Sequence, residues 1–193
     1  MSPLSRPPAD LTAFPAVVLP ARHVLHRIHH RDRMPWWFSS DGSGRFDLPP
    51  PRGTCYLGED PLASFVEVFR DTVLVSQAVV DQRRLSKLPI PRRARLADCT
   101  ARRARSFGIT AAIHSGPDYV ATQAWAAAFV NRGFDGIRYY VSHDPAQRSV
   151  GVALFGHGGV RRSRVTATAA IPSDLIRRAE EEFGILVLPG PGG

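Results

Sequence analysis

Between Arg27 and Glu67 the chain gathers residue types suited to holding and polarising a charged, flat ligand. Arg27 comes first, then the aromatic run Trp36-Trp37-Phe38, the serines Ser39 and Ser40, the turn Gly42-Ser43-Gly44-Arg45, Tyr56 and finally Glu67. A guanidinium offers a planar fork of donors to phosphate oxygens. Aromatic faces stack on rings, and glycines let backbone approach a ligand closely. A carboxylate in that company can steady positive charge in a transition state. Packing alone does not call for this mixture, which points to an enzyme acting on a nucleotide. On the residues alone other roles stay open. Glu67 also reads as an i,i+3 partner of Arg70 on a wet helix face, Arg27 as an exposed strand residue, Ser142 as a turn residue, and Trp36 and Trp37 as core.

Other chemistries fit the sequence less well. Gly42-Ser43-Gly44 lacks the spacing of a dinucleotide fingerprint, and no phosphate-loop motif is present. His29 and His30 are adjacent, so on a strand they face opposite ways and cannot share an ion. His26, His114, His143 and His157 have no companion at metal-ligand spacing, and no metal site is expected. Ser142-His143-Asp144 are consecutive and cannot form a relay in space, and no nucleophile elbow occurs. Cys55, flanked by apolar residues, reads as an inert buried thiol.

Several elements must position these groups. Val24, Leu25 and Ile28 predict a strand carrying Arg27. Residues 31–53, rich in glycine, proline and aromatics, read as a long functional loop. Residues 54–58 predict a second strand. Asp60-Pro61 then starts a helix whose stripe is Leu62, Phe65, Val66 and Phe69, with Glu67 beside it. Strands are expected at 73–80, from Arg93 to Asp98, at 136–142 and at 149–155. Helices are expected at 118–132, stopped by Gly133, and at 173–183. The interleaving has no regular βαβ rhythm, so the class is α+β or an irregular mix.

With 193 residues, 44% of them hydrophobic, the chain suits one domain with a proper core. A Pro-rich arm is expected over 1–20, a catalytic domain over 21–160, and a helix and tail packed on it over 161–193. No apolar run is long enough to span a membrane, residues 1–10 lack the charged-then-apolar order expected of a secretory signal, and two cysteines are too few for a disulfide framework. A cytoplasmic protein is expected. Residues 83–105 hold nine Lys or Arg against Asp98 alone, which equals the net charge of +8. Such a stripe suits a solvated face or an acidic partner. Nucleic acid fits less well, because aromatic faces scarcely interleave.

The order of motifs resembles the RES domain family, named for an arginine, a glutamate and a serine. The residues that carry the resemblance are Gly44-Arg45-Phe46, Gly53-Thr54-Cys55-Tyr56-Leu57, Ala63 to Glu67, Thr122-Gln123-Ala124-Trp125, Asp135-Gly136-Ile137, Tyr139 and Ser142. The resemblance implies a compact α+β domain like the ADP-ribosyltransferases, with a split, mostly antiparallel sheet and flanking helices. It implies NAD+ as substrate rather than cofactor, cleaved at the nicotinamide–ribose bond with water, phosphate or a protein as acceptor. It also implies a toxin whose small helical antitoxin covers the site; a homo-oligomer is left open. By position Arg27, Glu67 and Ser142 take the family's catalytic places, with Trp37, Phe38, Ser39, Arg45 and Tyr56 around the substrate. One departure stands out: the family's tyrosine about ten residues after the arginine is replaced by Trp37-Phe38. A catalytically weak module that binds an acidic protein or nucleic acid through residues 83–105 is the alternative.

Overall fold

The computed structural model describes residues 4–69, 72–142 and 144–190. In chain order the elements are β1 (Ala16–Leu19), β2 (Val24–His30), β3 (Trp37–Phe38), β4 (Arg52–Gly58), α1 (Pro61–Phe69), β5 (Leu74–Ser76), α2 (Gln77–Asp81), β6 (Arg83–Pro89) and β7 (Ala94–Asp98). A 3-10 turn (Arg102–Phe107) follows, then α3 (Ala112–Ser115), α4 (Tyr119–Asn131), β8 (Gly136–Tyr140), β9 (Val150–His157), β10 (Gly159–Val160), β11 (Ala167–Ala169), α5 (Ser173–Phe183) and β12 (Leu186–Leu188).

The main sheet has eight strands in the order β1-β7-β8-β9-β4-β2-β6-β11. Only β7 and β8 run parallel within it; the other pairs are antiparallel. The α+β class with a mostly antiparallel sheet is as expected. The split is visible too. Strands β2 and β6 pair along their full length, as do β4 and β9, yet β2 and β4 pair only at His26 opposite Gly58. Beyond that rung the two strands part.

Alternation distributes the strand side chains between cores. Leu25, Leu57, Leu88, Leu96, Val152 and Leu154 form one core that the sheet wraps. Two further cores are separate. One holds Trp125 and Phe129 of α4 with Phe46, Ile137 and Tyr139. The other holds Phe65, Val66 and Phe69 of α1 with Ile28, Leu175 and Ala179. The stripe predicted for α1 is thus the face it buries. Asp60 caps that helix, its Oδ1 accepting from the Ala63 N–H at 2.8 Å.

Some expectations change. Residues 73–80 give the short strand β5 and then α2, because the Ser76 hydroxyl accepts from the Val79 N–H and caps a helix within a β-branched run. Residues 83–89, read only as charge, form β6 with Ser86 and Leu88 inward and Lys87 outward. The 1–20 segment contributes an edge strand, and its Leu11 and Phe14 are buried among the aromatics of α4.

Candidate active site

A cavity of about 280 Å³ opens where β2 and β4 part, lined by Arg27 and Ile28 from one strand and Tyr56 and Leu57 from the other. Helix α1 closes it with Ser64, Glu67 and Val68, and the loop before β4 adds Ser39, Ser43, Gly44 and Arg45. The helix sits close because Gly58 has no side chain: a Cβ there would lie 2.5 Å from the Ser64 hydroxyl. That hydroxyl donates to the His26 carbonyl at 2.9 Å, which pins α1 to β2 and brings Glu67 to the cavity that Arg27 lines.

Arg27 is fixed through one nitrogen. Its Nη1 donates to the carbonyls of Pro35 (2.6 Å) and Trp37 (2.9 Å) and to Cys55 Sγ (3.1 Å). Nε and Nη2 have no partner among the described residues and remain available to a ligand. Burial pushes the Cys55 thiol pKa up, which keeps it neutral beside the guanidinium. The pairing of Glu67 with Arg70 lies outside the described residues, as does His143.

The opposite wall is a closed hydrogen-bond cluster. Tyr56 donates to Asp47 Oδ1 at 2.8 Å and accepts from the Phe46 N–H at 2.9 Å. Asp47 Oδ2 accepts from the Ser39 hydroxyl at 2.8 Å and from the Gly44 N–H at 3.1 Å. Burial, then the Asp47 carboxylate, holds the Tyr56 phenol pKa well above its ordinary value. Helix α4 secures the loop from behind. Gln123 Nε2 donates to the carbonyls of Gly42 and Gly44, and Thr122 Oγ1 donates to that of Arg45. The Thr122-Gln123 motif therefore acts by fixing the Gly-Arg turn.

Arg45 is 5% exposed and spans from the cavity into the protein. Its Nη1 donates to the Gly116 carbonyl at 2.6 Å, its Nη2 to Ser142 Oγ at 3.2 Å, and its guanidinium lies 4.9 Å from the centre of the Tyr119 ring. Ser142 in turn donates to the His114 carbonyl at 2.7 Å. Ser142 thus stands behind Arg45 and does not line the cavity.

Arg27, Ser39, Arg45, Tyr56 and Glu67 share this cavity. Trp37 and Phe38 do not. Phe38 is 2% exposed and packs in the wrapped core, because β3 pairs with β10 and turns the ring toward Gly156. Trp37, on the other side of the strand, is 38% exposed and lines a neighbouring cavity with Arg27. Sequence reasoning missed Asp47, Ser64 and His114. A carboxylate three residues past Gly44 was the one available hint for Asp47.

The basic 83–105 segment does not form a stripe in space. Arg92 pairs with Asp135 at 2.6 Å, Arg95 lies over the Phe134 ring, and Arg102 and Arg105 line a separate cavity. Among the described residues no three His, Cys, Asp or Glu side chains gather as a metal-binding group, and no helix is long and apolar enough to cross a membrane.

A family model described as RES domain matches residues 24–174. No curated protein matches the chain. One similar solved structure is the crystal structure of the M. tuberculosis MbcT–MbcA toxin–antitoxin complex. The matched chain shares 19% identity with a TM-score of 0.60, over 82% of this chain and 88% of that one. The likeness shows a common fold.

Proposed function

The chain belongs to the RES domain family, and from that premise we propose that it cleaves the nicotinamide–ribose bond of NAD+ as the toxin of a toxin–antitoxin pair. The observation that carries this reading is the single cavity in which Arg27 and Glu67 meet at the parting of β2 and β4. The similar toxin–antitoxin structure supports the biological setting.

In the reaction the bond between ribose C1′ and the ring nitrogen breaks, and its electron pair leaves with neutral nicotinamide. Positive charge spreads over the ribose, as in glycoside cleavage. Glu67 stabilises that charge and accepts from a ribose hydroxyl. Arg27, held by Nη1, directs Nε and Nη2 to phosphate oxygens. Water or another acceptor then bonds to C1′ and gives up a proton. Nicotinamide departs uncharged, so no strong general acid is needed. Ser142 acts through Arg45, keeping the buried guanidinium aimed along the cavity wall.

Purified protein free of any antitoxin is expected to release nicotinamide from NAD+, and its expression to arrest growth. Glu67→Ala is expected to lower kcat by about 10²–10³-fold, the usual scale for losing one electrostatic contact to a transition state. Full activity in that variant refutes the site. Absence of NAD+ consumption by the wild type refutes the enzyme.

A further inference from the structure

The inner cavity, about 280 Å³, falls just below the range of about 300–1,000 Å³ usual for sites that hold drug-sized ligands. It suits one half of a dinucleotide, so the other half must extend beyond it. A second cavity, of about 270 Å³, shares Arg27 and Ile28 with the first and continues along His29 and His30 to Arg33, Met34, Trp37 and Arg83. We propose that this outer cavity binds the adenosine-diphosphate half of the dinucleotide, with Arg33 and Arg83 on the phosphates and Trp37 against the base. The assignment rests on the NAD+ reading above.

Charge favours this direction. Among the described residues the outer cavity is lined by three guanidinium groups, from Arg27, Arg33 and Arg83, and by no carboxylate. Asp32 is nearby, but it is largely exposed and its contacts are with His30 and Arg31. The opposite end of the inner cavity leads to the loop bearing Asp41 and Asp47. Hydrogen bonds from Ser43 hold the Asp41 carboxyl at about 2, so that loop carries an ionised carboxylate, and Arg45, the cation lining that end, is already engaged by Gly116 and Ser142.

The side chains are also available. Arg83 Nε is buried with no hydrogen-bond partner among the described residues. His29 is already engaged through both ring nitrogens, with the His30 carbonyl and with Ser86. It therefore shapes the wall rather than binding. Trp37 and Met34 keep 38% and 49% of their surfaces exposed, a large apolar area beside cations. Arginine with an aromatic face is the pairing that takes phosphate and base together.

ADP lacks the nicotinamide half, so it probes the outer cavity alone. Titration calorimetry is expected to show ADP binding to the wild type and equally to Glu67→Ala. In the double variant Arg33→Ala/Arg83→Ala affinity should fall at least tenfold. Arg33 is exposed, so Arg33→Ala alone preserves folding and should weaken binding about threefold or more. With NAD+ the double variant should raise KM at least tenfold and leave kcat within twofold. Equal ADP affinity in the wild type and Arg33→Ala/Arg83→Ala, or no ADP binding by the wild type, overturns the assignment. ADP binding that depends on these arginines in a protein that never releases nicotinamide supports the subsite and sinks the cleavage reading instead.

Discussion

At the scale of single residues, the site depends on buried polar groups whose partners fix them. His114 is 6% exposed, accepts from the Tyr140 N–H through Nδ1, and presents its carbonyl to Ser142. Burial, and then the nearby Arg45 cation, pull its pKa from 6.5 to about 4, with Asp98 opposing weakly. The native ring stays neutral where the unfolded ring takes a proton. The contribution is complete above about pH 6.5 and is lost as pH falls from there toward 4. At pH 5 this amounts to about 2 kcal/mol. His26 and His29 shift the same way through burial, so they add to the trend. Urea denaturation at pH 7.5 and pH 5 should show the wild type losing about 2 kcal/mol more stability than His114→Asn. Parallel losses would refute the assignment. Arg27, Glu67 and Arg45 were legible through the order of motifs that resembles the RES domain family, since their types alone also fitted a surface ion pair and an exposed strand position. Asp47 and His114 were not, since their roles come from neighbours 9 and 26 residues away along the chain.

At the scale of elements, α1 carries Glu67, and the helix is located by its first turn. Asp60 caps it, Pro61 opens it, and Ser64 anchors it to β2. Asp60→Ala is expected to cost about 1 kcal/mol, read as a lower urea midpoint, and to reduce nicotinamide release by loosening the turn before Glu67. An unchanged midpoint would show that the cap is dispensable. This helix was readable because cap, proline and apolar period agree. The run 73–80 misled because β-branched residues favour strands until a capping serine intervenes. Strand β6 was hidden by its arginines, since only Ser86, Lys87 and Leu88 alternate in and out while residues 83–85 are all half-buried. The tryptophan and phenylalanine at 37–38 looked equivalent in sequence. Strand geometry sends them to opposite faces, one into a core and one to the rim.

At the scale of the whole molecule, the sequence indicated the class but not the strand order, because β1, β7, β8 and β9 come together from residues 16 to 157. Pairings so distant in sequence leave no local periodicity to read. The parting of β2 and β4 has a consequence for cooperativity. With one rung between them, the sheet has a seam bridged by the core of Leu25, Leu57 and Leu88, and the layers over α1 and over α4 are expected to open as two neighbouring units. A ligand seated in the seam stands in for the missing rungs. Hydrogen exchange with a non-cleavable NAD+ analogue should therefore slow 26–30 and 54–58 together, whereas protection of only one segment would mean that the ligand binds one side. Substrate, in this view, is what makes the two halves of the sheet unfold as one.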